Sequence, residues 1–217
     1  MSERDWVAWH DPYDDDSSPL HRRLLIVQRH VTAAVDRAPQ GRLRAVSLCA
    51  GQGRDLIGAL AGHPRRGDID ARLVELDDRN AEVARGAAHA SGLDGIEVVA
   101  ADASVSDAYE GAVPANLVLV CGVFGNISDA DIASTIEFLP QLCAENATVI
   151  WTRHRRPPDA TPGIRACFET SGFDDVAFDA PDDLLFGVGV GRLRAPPEPL
   201  QRGVHLFDFV GHDPVEP

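Results

Sequence analysis

The sequence predicts an α/β fold built on an open, mostly parallel sheet with helices on both faces, and three observations predict it. Short apolar runs rich in β-branched residues alternate with amphipathic stretches of helical period, the pattern of strands joined by crossover helices. The first run, Leu43-Arg44-Ala45-Val46-Ser47-Leu48, enters the turn Gly51-Gln52-Gly53, and the chain passes straight into a helical stretch near Arg54. The second run ends in an acid, Glu75, which lies 22 residues beyond Gly53. A Gly-x-Gly bend between strand and helix, with an acid about 20 residues on, is the spacing of a βαβ unit that cradles a nucleoside-like ligand.

Each element has a local reason. The first 16 residues are polar and aromatic, with Trp6, Trp9, His10, Tyr13 and the run Asp14-Asp15-Asp16, which reads as a solvated stretch ahead of a helix cap. Ser17 or Ser18 caps a helix with Pro19 in its first turn. Leu20, Leu24, Val27, Val31 and Val35 then recur at three- and four-residue spacing and share a face. Pro39-Gln40-Gly41 ends it. Residues 1–40 are therefore expected to form an arm and helix that pack on, or cap, the ligand end of a domain spanning 41–217.

Strands and helices alternate from there. Ala71–Leu76 is the second strand, and a helix near Asn80–Ala90 stops at Gly92. The third strand, Ile96–Ala101, runs into Asp102-Ala103, and the fourth, Leu117–Cys121, runs into Gly122-Val123-Phe124-Gly125-Asn126. Ser128 and Asp131 form a capping-box pattern before Ile132, Ile136 and Leu139. Ala147–Thr152 is the fifth strand, Thr161-Pro162 opens a helix that closes at Gly172, and Val176–Phe178 and Phe186–Leu193 suit an antiparallel pair. A stiff connector, Ala195-Pro196-Pro197-Glu198-Pro199, leads to a last candidate strand, His205–Val210.

Composition narrows the function. A chain of 217 residues, 44% hydrophobic, can bury one substantial core, which sets the expectation of a single globular domain. No apolar run approaches the ~18 residues of a membrane span. The acidic N-terminal stretch carries no secretion signal, so a soluble, cytoplasmic protein without a membrane partner is expected. A formal net charge of −14 repels a phosphate backbone, so no nucleic-acid partner is expected. All 20 basic residues are arginine, which excludes a lysine phosphate loop, Schiff-base chemistry and lysine general bases. Cys49, Cys121, Cys143 and Cys167 have no C-x-x-C spacing and read as small reduced thiols, the first two at strand ends and the others in helical patterns. The eight histidines form no H-E-x-x-H pair, so no metal site is expected.

On these residues the chain resembles the class I S-adenosylmethionine (SAM)-dependent methyltransferases over roughly residues 40–190. That family's first motif, an acid followed by Gly-x-Gly-x-Gly, falls on Ser47, Cys49, Gly51 and Gly53, with Ser47 replacing the acid and Cys49 the first glycine. The Trp6-x-x-Trp9-His10 segment is similar to that of a bacterial subgroup of the family. The resemblance implies a Rossmann-like, seven-stranded sheet, mostly parallel with a reversed final strand. It also implies SAM as cofactor, with Ala50, Gly51 and Gly53 along the methionine part and the positive end of the following helix toward its carboxylate. Glu75 and Leu76 then lie at the ribose, with Asp77 as second candidate for the acid. Asp102 and Ala103 lie at the adenine, and Cys121 and Gly122 flank the sulfur.

The methyl acceptor is expected to be a small molecule. Phe124-Gly125-Asn126 lacks the Asn/Asp-Pro-Pro-Tyr sequence of amino-group methylases. Tyr13, Asn126 and His154 are the substrate-side candidates, and His154 is a weak candidate general base. The arginines around His154 suit an anionic acceptor, although a solvated basic loop explains them equally. Two other readings stay open. One is a SAM-binding protein without catalysis, for which Ser47 speaks. The other is a nicotinamide-dependent oxidoreductase, which wants a glycine where Leu56 stands.

Overall fold

Sheet construction starts at β1 (Leu43–Ser47), which pairs in parallel with β2 (Ile69–Glu75) on one side and β4 (Ala115–Val120) on the other. The computed structural model of the chain describes residues 6–210. β3 (Ile96–Ala100) lies beyond β2, while β5 (Cys143–His154), β7 (Phe186–Leu193) and β6 (Phe173–Asp179) follow beyond β4. The order is thus β3-β2-β1-β4-β5-β7-β6. Only β7 runs against its neighbours, antiparallel to both β5 and β6. This is the seven-stranded, mostly parallel sheet with a reversed final strand. The chain winds outward through β2 and β3, then returns past β1 to β4, and open α/β sheets form their crevice at such a reversal.

Alternation along the strands builds a core on each face. Leu43 and Ala45 of β1, Leu117 and Leu119 of β4, and Ile150 of β5 point to one side. There they meet Val27, Val31 and Val35 of α1 (Pro19–Arg37), Leu56 and Leu60 of α2 (Arg54–Leu60), and Ala84 and Ala88 of α3 (Asp78–Ala90). Val46, Val118, Val120, Val149 and Trp151 point to the other, against α4 (Asp129–Phe138) and α5 (Thr161–Thr170). Each fully buried aliphatic side chain contributes roughly 1.5–3 kcal/mol. Ser18 caps α1, its hydroxyl accepting from the Leu20 N–H at 3.1 Å, with Pro19 at the first helical position. Among the described residues no helix is long and apolar enough to cross a membrane.

Three expectations need correction. Cys143 opens β5 and is not helical. Its pairing jumps from Ala115↔Cys143 to Leu117↔Thr148, and Asn146 takes a φ of 58°, so the strand's irregular, polar beginning hides it from periodicity. β6 begins at Phe173, because Asp174 and Asp175 on this edge strand are answered by Arg194 and Arg165. The segment 205–210 is not a strand of the sheet. Past the strand ends it makes only isolated bridges, Val105↔His205 and Ile127↔Phe209, so it forms a strap across the loops that follow β3 and β4.

Candidate active site

At the carboxyl ends of β1, β2 and β4 lies a cavity of about 440 Å³. Its floor is the turn after β1. Gly51 sits at a φ of 55° and Gly53 at 70°, in the left-handed region that glycine enters without strain. Cys49 takes a φ of 47°, so the thiol that stands for a glycine bears the strain of that conformation. A side chain at Gly51 would overlap the imidazole of His10, which packs on the turn. Gly53 lines none of the cavity. A Cβ there would come within 2.6 Å of Ile57 and 2.8 Å of Leu73, so its work is to bring α2 down onto β2. Ser47 is buried in β1 and also lines none of it.

The acid of β2 closes the floor. Glu75 is 8% exposed and accepts the Gly51 N–H at 2.7 Å on Oε2 and the Asp77 N–H at 2.9 Å on Oε1. Burial raises its pKa, opposed by those two amide donors. A carboxylate has about four acceptor sites, so acceptor capacity remains for a ligand. Asp77 also reaches the cavity, but its carboxylate caps α3 through the Arg79 N–H at 2.9 Å and pairs with the Arg79 guanidinium at 2.6 Å. The Arg79 hydrogen bond holds Asp77 below the usual carboxylate range, so Glu75 is the acid with capacity left.

The third strand contributes Asp102, which accepts the Ser104 N–H at 2.8 Å and faces the cavity together with Ala103. The fourth contributes Cys121 and Gly122. The Gly122 N–H donates to the Thr152 hydroxyl at 2.9 Å, and the Asn126 amide donates to the Gly122 carbonyl at 2.6 Å. Asn126 therefore pins this loop from inside the cavity. Ala50, Gly51, Glu75, Leu76, Asp102, Ala103, Cys121, Gly122, Tyr13 and Asn126 all line one space.

His154 does not line it. It ends β5 opposite Phe186, and its neighbours tie the sheet's end together. Arg153 donates to the Phe124 carbonyl and Arg155 to the Ala180 carbonyl, and the Arg155 N–H donates to the Leu185 carbonyl. Of the basic stretch that suggested an anionic acceptor, Arg153 and Arg155 are engaged with backbone carbonyls, and Arg155 also faces Asp159 at 3.5 Å.

Two segments wall the cavity from outside the sheet. A short 3-10 helix, Ala8–Asp14, brings Trp9, His10 and Tyr13, with Trp6 just ahead of it. Asp14 and Arg54 anchor it to α2 by a two-point ion pair at 2.5 and 3.0 Å, so the acidic run is not simply solvated. His10 hydrogen-bonds the Trp6 carbonyl through Nδ1 at 2.7 Å, and burial holds its pKa below the ordinary value, so the ring is neutral with Nε2 on the turn. From the other end of the chain comes the strap. His205, Phe207, Asp208 and Phe209 line the cavity, and the Phe209 ring meets Trp6 at 6.0 Å.

Sequence reasoning missed Arg23 and Asp55, which both line the cavity. A signal for Arg23 was present: it lies four and eight residues before Val27 and Val31, on the face that α1 buries. Asp55 had none beyond its place in the first turn of α2.

Solved structures share this architecture. An O-methyltransferase family protein from Burkholderia thailandensis is similar with a TM-score of 0.66 at 17% identity, over 89% of this chain and 60% of that one. Magnesium protoporphyrin IX methyltransferase (ChlM) from Synechocystis PCC 6803 with bound SAM is similar at 0.68 and 12% identity, over 87% of this chain and 90% of that one. CurJ carbon methyltransferase is similar at 0.67 and 13%, over 88% and 59%. This chain spans about three fifths of the first and third of these and most of the second. At such identities the likeness is one of fold, the Rossmann-like fold of class I methyltransferases. No protein-family model and no curated protein matches the sequence.

Proposed function

We propose that the protein is a SAM-dependent methyltransferase acting on a small molecule. The observation that carries this reading is the convergence of Gly51, Glu75, Asp102 and Gly122, from four successive strand ends, on one cavity. The residues fit the cofactor. The remaining acceptor capacity of Glu75 suits a ribose hydroxyl, and Asp102 accepts from an exocyclic amino group. Leu76 and Ala103 give apolar surface for a base, and the neutral His10 and the Trp6 ring close the space above. SAM bound there supplies an electrophilic methyl group, and the protein's part is to align it and exclude water.

The Cys121–Gly122 loop, pinned by Asn126 and Thr152, holds a fixed wall where the acceptor approaches. His10 and His205, not His154, are the imidazoles that line the cavity, and the His10 Nε2 packs on the Gly51 turn. The fold of the methyltransferases ChlM and CurJ supports methyl transfer as the chemistry. Enclosure by the 3-10 helix and the strap favours a small acceptor over a macromolecular one.

Isothermal titration calorimetry with S-adenosylhomocysteine (SAH) tests the cofactor assignment. Saturable binding is expected, lost on Glu75→Ala. Absence of heat or thermal shift with SAM and SAH, alongside binding of NADH, would replace this reading with an oxidoreductase.

A further inference from the structure

Large apolar side chains are left bare at the cavity. Leu76 and Phe209 both line it, yet they are 69% and 46% exposed, and Val210 beside Phe209 is exposed as well. Exposed apolar surface gathered at a cavity, in contrast to single scattered residues, marks a ligand surface. The Phe209 ring belongs to an aromatic arc. Its centroid lies 5.6 Å from that of Phe207 and 6.0 Å from that of Trp6, and Trp6 meets Trp9 edge-on at 6.2 Å. Phe209 is also fixed to the loop after β4: it bridges to Ile127, and the Val210 N–H donates to the Asn126 carbonyl at 2.9 Å. Asn126 in turn pins the Gly122 carbonyl, so the half-bare ring is carried by the same wall that an acceptor approaches.

Charge at this cavity works against an ionic acceptor of either sign. Glu75, Asp77, Asp102 and Asp208 line it, and carboxylates so placed repel an anion. Arg23, the guanidinium of the lining, is buried against the rings of Trp9 and Tyr13 and donates to the Tyr13 hydroxyl, so its charge is not offered at the exposed rings. A cation, for its part, would sit beside the sulfonium of SAM. We propose that the methyl acceptor is an uncharged aromatic molecule whose ring packs on Phe209 and Trp6. The inference rests on the methyltransferase reading and gives it a substrate class. Aromatic rings pack offset or edge-to-face with a gain beyond the area they bury, which a saturated ring of the same size lacks. Trp6 then serves both ligands: it closes over the nucleoside, and its contact with Phe209 carries the apolar surface on to the acceptor.

Calorimetry on protein saturated with sinefungin, a SAM analogue with an amine in place of the methyl group, tests this without turnover. Four probes of similar size are titrated: 2-naphthol, 2-naphthoate, 2-naphthylmethylamine and decahydro-2-naphthol, the last uncharged but not aromatic. The wild type is expected to bind 2-naphthol about tenfold more tightly than each of the others. Phe209→Leu keeps an apolar side chain without the ring, and is expected to shrink the preference over decahydro-2-naphthol to about threefold. Equal or tighter wild-type binding of any of the other three probes overturns the acceptor class, as does a preference unchanged in a folded Phe209→Leu. So does a sinefungin complex that binds none of the four. Should the variant not fold, the wild-type ratios decide. Failure of sinefungin and SAH to bind the wild type instead removes the methyltransferase reading, and the acceptor class with it.

Discussion

The two ends of the cavity are built by different means. At the end proposed for the nucleoside, Glu75 and Asp102 are strand-end carboxylates whose positions follow from the winding of the chain, and Glu75 is further held by the amides of Gly51 and Asp77. At the other end, Arg23, Tyr13 and Asp55 come from α1, the 3-10 helix and α2, and they meet only because those helices dock on the sheet. The first end is a property of the βαβ unit; the second is a property of this chain's packing. Ligand recognition can therefore be split between them by substitution.

The largest effect is expected at Glu75. Glu75→Ala removes two charge-assisted acceptors and should lower affinity by about 100-fold. SAH and 5′-methylthioadenosine should suffer alike. Selective loss of SAH on Glu75→Ala would break the division between the ends.

Next is the turn beneath both. Gly51→Ala places a Cβ at a φ of 55° and against His10, and should destabilise the fold by about 2 kcal/mol, read from denaturant midpoints. An unchanged midpoint would mean that His10 does not pack there.

Asp102→Ala should cost about tenfold in affinity for both adenosyl ligands. It should also shrink the preference of the wild type for SAH over its inosine analogue, since an oxo group cannot donate as an amino group does.

The smallest effect concerns His10. Its folded pKa lies below the ordinary 6.5, chiefly through burial, so below that pH the unfolded chain binds a proton that the folded one refuses. Stability is then full above about 6.5 and declines as pH falls toward the folded pKa. Thermal midpoints from pH 7.5 to 5 should show a shallower decline for His10→Gln; parallel curves would take His10 out of the linkage.

That Gly51, Glu75 and Asp102 meet at one cavity was legible because a parallel crossover has a fixed hand, so consecutive strand ends fall on one edge of the sheet. Ser47-x-Cys49-x-Gly51-x-Gly53 marked the first strand end, and Glu75 and Asp102 the next two. Even there, Gly53 serves helix packing and lines none of the cavity, because spacing does not tell which way a turn faces. His154 likewise falls outside the cavity. Its place at the end of β5 put it near the site in sequence order, while there it pairs with Phe186 of the antiparallel β7. The strap at 205–210 looked like a strand because its composition is that of one, yet the sheet's edges lay elsewhere and only loops met it.

By itself, then, the sequence determined the order of strands and helices, the mostly parallel sheet and the acids at its strand ends, since each is set by period, turn chemistry and chirality over short stretches. Tertiary structure alone decided that Arg23 and Asp55 share a cavity, that His10 lies on the glycine turn, and that Trp6 meets Phe209. Those contacts join residues up to 203 positions apart. Helix docking and the path of a loop set them, and no local pattern encodes either.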